Sequence, residues 1–165
     1  MDHHDGLRNR NSGFESQGDR HILKILLKIY FMSKEFNFKV KVYYEDTDAG
    51  GVVYYANYLK YLERARTELI YQLNLNHKIL NEKYNTYLVV RSCNIKYKKS
   101  GFFEDELTIF TKLIGYSSSH LTLEQIIKRE KELIVFSEIQ LVTVNKKGKL
   151  VKIPDILIKK LESII

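Results

Sequence analysis

The chain has 165 residues, of which 44% are hydrophobic and 28% charged, which is enough for one domain with a real core and unlike a disordered chain. Its formal net charge of +7 favours polyanions without choosing among nucleic acid, anionic lipid and nucleotide phosphates, and a lysine-rich solvated surface is the plainer explanation. Cys93 is the single cysteine, so an intramolecular disulfide is excluded and a reducing compartment fits; because it lies in a strand-like run, a buried structural thiol is expected.

Residues 1–31 stand apart from the rest. Residues 1–20 are polar and show no hydrophobic period. Residues 21–31 (HILKILLKIYF) are apolar but interrupted by Lys24 and Lys28, too short and too charged to span a bilayer, and they lack a small-residue cleavage site. The stretch reads either as a basic amphipathic surface segment or as sequence upstream of a natural start at Met32. The second reading is preferred, with a domain over residues 32–165.

From Phe36 the pattern sharpens. Phe36, Phe38, Val40 and Val42 alternate with Asn37, Lys39 and Lys41, which predicts a half-buried strand. Residues 45–51 (EDTDAGG) form a turn-rich break. The period then changes: Tyr58, Leu62, Ala65, Leu69 and Leu73 recur at three- and four-residue steps, predicting an amphipathic helix over about residues 55–74 that ends at residues 74–76. Four strand-like segments follow. Residues 87–98 place Val89, Cys93, Ile95 and Tyr97 on one face; Leu107, Ile109, Thr111 and Leu113 share another. Leu121, Leu123 and Ile127 alternate in the same way, as do Val135, Ile139, Leu141 and Thr143. Residues 145–149 predict a turn, and Asp155 is expected to cap a short C-terminal helix carrying Ile156, Leu157 and Leu161. One strand, one long helix and then several strands make an α+β domain whose sheet packs on the helix.

The segment with chemical potential is Asp46-Thr47-Asp48-Ala49-Gly50-Gly51. As a calcium loop it fails, because an oxygen ligand is missing at the fifth position (Gly50) and Glu at the twelfth (Asn57). No Gly-Lys-Ser/Thr follows to make a phosphate loop, and Cys93, His77 and His120 have no ligand-spaced partners for a metal. As a turn before a helix it offers more. Two glycines allow close backbone approach, and the first helical turn presents unpaired N–H groups and a positive dipole end, which together stabilise an oxyanion. A carboxylate at Asp48 would then serve as base or nucleophile; spacing alone also allows Asp48 to be a plain turn cap.

Residues 43–68 read YYEDTDAGGVVYYANYLKYLERARTE. This string closely resembles the signature of the YbgC-like branch of the 4-hydroxybenzoyl-CoA thioesterase family, with a weaker likeness over residues 36–145. The resemblance implies a hotdog fold, in which an antiparallel sheet wraps one long helix. It also implies a homodimer or homotetramer with active sites between subunits. The catalytic aspartate of the family's Thr-Asp-x-x-Gly element falls on Asp48, and the backbone N–H that polarises the thioester carbonyl falls on Tyr55. Gly51, Tyr54 and Glu63 are the candidate substrate-binding positions.

The implied function is hydrolysis of a short- or medium-chain acyl-CoA, or of an acyl group on acyl carrier protein, to acid and thiol. No cofactor, metal or nucleic acid is expected. The expected location is cytoplasmic or peripheral at the inner membrane. A rival is a non-catalytic binding protein, since relatives of this branch are linked to the Tol-Pal envelope system and to phospholipid synthesis. A dehydratase of the same fold is disfavoured, because no His occurs between His21 and His77. One departure stands out: the YbgC-like branch usually carries His at the position of Tyr55. The 4-hydroxybenzoyl-CoA branch resembles this chain in having Tyr there, before a Pro-Asn-Tyr similar to Ala56-Asn57-Tyr58. A backbone role tolerates that change, whereas a side-chain role does not.

Several charged positions have plainer readings. Glu63 is expected to pair along the helix with Arg66 or Lys60 if it does not orient the catalytic turn. Arg91 falls on an apolar parity and is expected to meet a carboxylate or phosphate. Lys96-Tyr97-Lys98-Lys99 could grip nucleic acid or coenzyme A phosphates, but a solvated strand end is the plainer reading, and residues 115–119 contain no Arg or Lys to hold a nucleotide.

Overall fold

The computed structural model of the protein describes residues 35–165; the expectations for residues 1–31 and for a start at Met32 lie outside the described residues. The chain runs β1 (Phe36–Lys41), α1 (Asn57–Gln72), α2 (His77–Tyr84), β2 (Tyr87–Tyr97), β3 (Glu106–Tyr116), β4 (His120–Arg129), β5 (Glu132–Val144) and α3 (Asp155–Ile164). The five strands form one sheet in the order β1-β3-β4-β5-β2, antiparallel at every step. This is the expected α+β hotdog arrangement, with α1 as the long central helix.

The periodicity of α1 explains its place. Tyr58, Tyr61, Leu62, Ala65 and Leu69 fall on one stripe and are all buried, in one cluster with Leu107, Ile109, Leu123, Ile127, Val135 and Ile139 from the sheet. Each fully buried Leu or Ile contributes about 1.5–3 kcal/mol of transfer free energy. The helix stops at Gln72, two residues before Asn74 turns into the left-handed region at φ 53°. The short helix α2 was not foreseen. At eight residues it is too brief to display a period, and its signals are polar. The Asn76 side chain accepts from the Ile79 N–H at 2.7 Å, and Asn85 closes the other end at φ 47°.

Polar residues also sit in the apolar layer: Thr111, Gln125 and Ser137 are each 0% exposed. Gln125 on β4 is 0% exposed and shares the inward parity of Leu121, Leu123 and Ile127. Its Nε2 donates to the Leu62 carbonyl at 3.1 Å and to Thr111 Oγ1 at 3.0 Å, while its Oε1 accepts from Arg66 Nη1 at 2.8 Å. Its backbone oxygen also accepts from Ser137 Oγ at 2.8 Å. The side-chain amide is therefore fully engaged and ties the middle of α1 to β3 and β4, while the backbone oxygen of Gln125 takes the bond from β5.

Three sequence expectations are corrected. Cys93 is exposed, not buried. The cause is the position of β2: it is an edge strand, and Val89, Val90 and Tyr97 are also exposed, at 44%, 48% and 44%. Local alternation implies a buried face, but at this edge both faces of β2 are left largely open, with a register shift between Val90 and Ser92. Arg91, for the same reason, points outward and meets no acid among the described residues; its Nη1 lies 2.7 Å from His120 Nε2. Asp155 begins α3 without capping it. The N-cap is Pro154, and the Asp155 carboxylate takes Lys152 Nζ at 2.8 Å.

Candidate active site

The segment between β1 and α1 folds back on itself. Residues 44–46 make one 3-10 turn, after which residues 46–48 pair with residues 52–54. The rungs are Tyr54 N–H to Asp46 O at 2.9 Å, the Thr47–Val53 bridge, and Asp48 N–H to Val52 O at 2.9 Å. Gly51 closes the loop with its N–H on the Asp48 carbonyl at 2.9 Å, and its φ of +76° is the conformation that favours glycine. Asp48 Oδ1 accepts the Gly50 N–H at 2.8 Å, so the aspartate does cap its own turn. Its Oδ2 has no hydrogen-bond partner among the described residues.

This loop delivers the chain straight into α1. The N-cap, Ala56, supplies no side-chain acceptor. The Tyr55 N–H has no acceptor among the described residues either. An uncapped helix start with an open amide is a ready site for negative charge. Asp48 and Tyr55 line the same open cleft of about 390 Å³, together with Val52, Val53, Tyr58 and residues 97–100. The walls are aromatic: Tyr55 lies 6.4 Å from Tyr97, and Tyr97 lies 5.7 Å from Tyr58, between ring centroids. The Tyr97 hydroxyl donates to the Tyr55 carbonyl at 3.3 Å, which orients the peptide unit after the open amide. The Tyr58 hydroxyl accepts the Gly101 N–H at 2.8 Å. Burial raises the Tyr58 and Tyr97 phenols above their ordinary pKa, so both stay neutral at physiological pH.

The other candidates are placed differently. Tyr54 packs against Tyr55 with ring centroids 4.7 Å apart and the rings tilted by 56°, but it is not part of the cleft lining. Gly51 serves the turn. Glu63 faces a separate and more apolar cavity of about 130 Å³ beneath α1, with Arg66, Leu88, Val90, Leu123 and Leu141. Its Oε1 accepts from Thr67 Oγ1 at 2.8 Å, and Arg66 turns to Gln125, so the expected Glu63–Arg66 pair does not form. Lys98 and Lys99 both line the cleft, and Lys99 also pairs with Glu132. Among the described residues no three His, Cys, Asp or Glu side chains gather to hold a metal ion.

Three residues missed from sequence support this site: Tyr97, Asp46 and Asn57. Asp46 is 8% exposed, and its Oδ2 accepts the Tyr43 N–H at 2.9 Å. Tyr61, wholly buried, lies close enough to feel the Asp46 charge, and desolvation followed by that carboxylate drives its phenol pKa up. Yet its hydroxyl has no partner of hydrogen-bonding geometry among the described residues. Tyr61→Phe is therefore expected to change unfolding free energy by less than about 1 kcal/mol, with a gain in stability as the preferred sign. A urea titration showing a loss of about 2 kcal/mol would mean that the hydroxyl is bonded after all.

A sheet curled round one helix, with an aspartate turn feeding the open helix start, defines the hotdog thioesterase class. Comparison with known proteins agrees. The profile of the Thioesterase-like superfamily matches residues 42–161. The acyl-CoA thioesterase YbgC of Haemophilus influenzae is 42% identical over 94 residues, covering 57% of this chain and 69% of that protein. The acyl-CoA thioester hydrolase YbgC of Escherichia coli is 36% identical over 111 residues, covering 67% and 82%. The solved DHNA-CoA thioesterase of Staphylococcus aureus superposes with a TM-score of 0.66 at 27% identity, over 72% of this chain and 80% of that one. The chain belongs to the thioesterase-like superfamily.

Proposed function

We propose that Asp48 and the Tyr55 N–H carry out the acyl-CoA thioester hydrolysis performed by this chain. The observation that supports this reading is the meeting of a carboxylate with one free oxygen and an amide with no acceptor in one cleft. In this reading the thioester carbonyl oxygen takes the Tyr55 N–H, which draws electron density from the carbonyl carbon and stabilises the oxyanion formed there. Asp48 then follows one of two routes. As a base, it takes a proton from water while the water oxygen bonds to the carbonyl carbon. As a nucleophile, it bonds to that carbon itself and forms an anhydride that water later opens. In the first route the C–S bond breaks as the tetrahedral adduct collapses. In the second it breaks as the anhydride forms, and water then opens the anhydride and restores the Asp48 carboxylate. In both the thiolate leaves and takes a proton. The backbone does the polarising, so Tyr in place of the usual His is tolerated.

The expected result is release of free thiol from members of a panel of acyl-CoA esters, with acyl carrier protein thioesters as a parallel arm. Absence of thiol release from every ester would overturn the reading. We also place a second copy of the chain against β2. The exposed edge, with Val89, Val90 and Tyr97, is the kind of apolar strand that proteins cover. A native mass of two or four chains is expected, and Val89→Lys should lower it. A wild-type mass of one chain would contradict this. No helix among the described residues is long and apolar enough to cross a membrane. Cys93 is a free thiol, which persists best in a reducing compartment, and on that ground we place the protein in the cytoplasm.

A further inference from the structure

Asn57 is the first residue of α1 and is 6% exposed. Asparagine is a poor helix former, and a buried amide side chain must find partners. At the start of a helix an Asn side chain would ordinarily turn to free backbone N–H groups, and here it does not. Its Nδ2–H reaches back and donates to the Asp46 carbonyl at 2.9 Å. That oxygen already receives the Tyr54 N–H at 2.9 Å, and Asn57 N–H in turn donates to the Tyr54 carbonyl at 2.8 Å. One carbonyl oxygen thus joins the strand that leads to Asp48, the strand that returns from it, and the first turn of α1. Tyr55 lies inside the small ring these bonds close.

We propose that Asn57 is a positioning residue for the reaction: its bond to the Asp46 carbonyl fixes the Tyr55 N–H relative to the Asp48 carboxylate. The inference rests on the assignment of Asp48 and Tyr55 as reacting groups. The fold does not need this bond for its own sake. The Asp46 oxygen stays satisfied by Tyr54, and the segments on either side are held in the core by Val53 and Tyr58, at 4% and 3% exposure. What the Asn57 amide adds is control over the tilt of residues 54–56, which carry the open amide. A misplacement of about 1 Å between reacting groups costs on the order of 10²-fold in rate.

The test compares wild type, Asp48→Asn, Asn57→Leu and Asn57→Ala on one acyl-CoA ester that wild type hydrolyses. Asn57→Leu keeps the branched shape and the number of side-chain heavy atoms and improves helix propensity, and Asn57→Ala avoids its added bulk, so the pair guards against a variant that fails to fold. Both Asn57 variants are expected to lose about 10- to 100-fold in kcat, with KM within about threefold of wild type and with Asn57→Leu unfolding at the wild-type temperature. Full kcat in Asn57→Leu overturns the proposal, as does a rise in KM with kcat intact. A lowered unfolding temperature with unchanged kcat per folded molecule also overturns it, since that is the mark of a purely structural bond. An inactive wild type, or an Asp48→Asn variant as fast as wild type, would instead defeat the underlying assignment of the reacting groups.

Discussion

Asp48→Asn is expected to reduce kcat on acyl-CoA esters by about 10²–10⁴-fold, the loss that follows removal of a general base or nucleophile. It should do so without disturbing the fold. The Asp48 side chain has two separable duties: Oδ1 accepts the Gly50 N–H at 2.8 Å and shapes the turn, while the other oxygen is open to the cleft. Asparagine keeps an Oδ1 acceptor for Gly50 and removes the charge and basicity of the second oxygen. Stability is therefore expected to stay within about 0.5 kcal/mol of wild type. Asp48→Ala removes both duties and should cost about 1 kcal/mol of stability in addition to the same loss of rate. Equal turnover by wild type and Asp48→Asn would leave Asp48 as a turn residue only.

The largest effect on stability is expected at Gln125. Gln125→Ala leaves the Leu62 carbonyl and Thr111 Oγ1 without their buried donor and takes from Arg66 its hydrogen-bond acceptor. Burial already pushes the Arg66 pKa down, so this guanidinium depends on local partners more than a solvated one does. Lost hydrogen bonds at a buried site cost about 1–3 kcal/mol each when a polar group is stranded, and the truncation adds a cavity. A total of about 3–5 kcal/mol is expected, read as a lowered urea midpoint with an unchanged slope. A loss under about 1 kcal/mol would show that water or side-chain movement satisfies the stranded groups. Catalysis per folded molecule should change little, because Gln125 is not part of the cleft lining.

The two predictions fall on residues of unequal legibility. The stripe from Tyr58 to Leu69 and the alternation in β3, β4 and β5 announce themselves, because each side chain obeys the period of the element that buries it. Gln125 breaks that rule from within. It sits at an inward position between apolar residues of its own strand, and the approach of Leu62 and Arg66 from α1 and of Thr111 from β3 makes it tolerable. β2 misleads in the opposite direction. Its sequence alternates like a covered strand, but Val89 and Cys93 are exposed in this chain, because alternation carries no information about which strand ends a sheet.

The candidate site shows a similar division. Spacing marks Asp48 as a residue of a glycine turn before a helix, and that much is local. Its pairing with the open Tyr55 amide comes from the resemblance of residues 43–68 to a thioesterase signature, and the geometry puts both in one cleft. The Asn57–Asp46 bond was out of reach. It joins residues eleven apart across a turn, and nothing in the helical period of α1 distinguishes an Asn that reaches backward from one that caps. In sequence Tyr97 belongs to a run whose plainer reading is a solvated strand end, yet its hydroxyl meets the Tyr55 carbonyl from forty-two residues away.

The most direct test of the central claim is a crystal structure of Asp48→Asn holding an unhydrolysed acyl-CoA. The thioester carbonyl oxygen is expected within about 2.7–3.1 Å of the Tyr55 nitrogen, with the carbonyl carbon facing the substituted side chain. A thioester lodged instead in the cavity beneath α1, beside Glu63 and Arg66, with the Tyr55 N–H left to solvent, would contradict it.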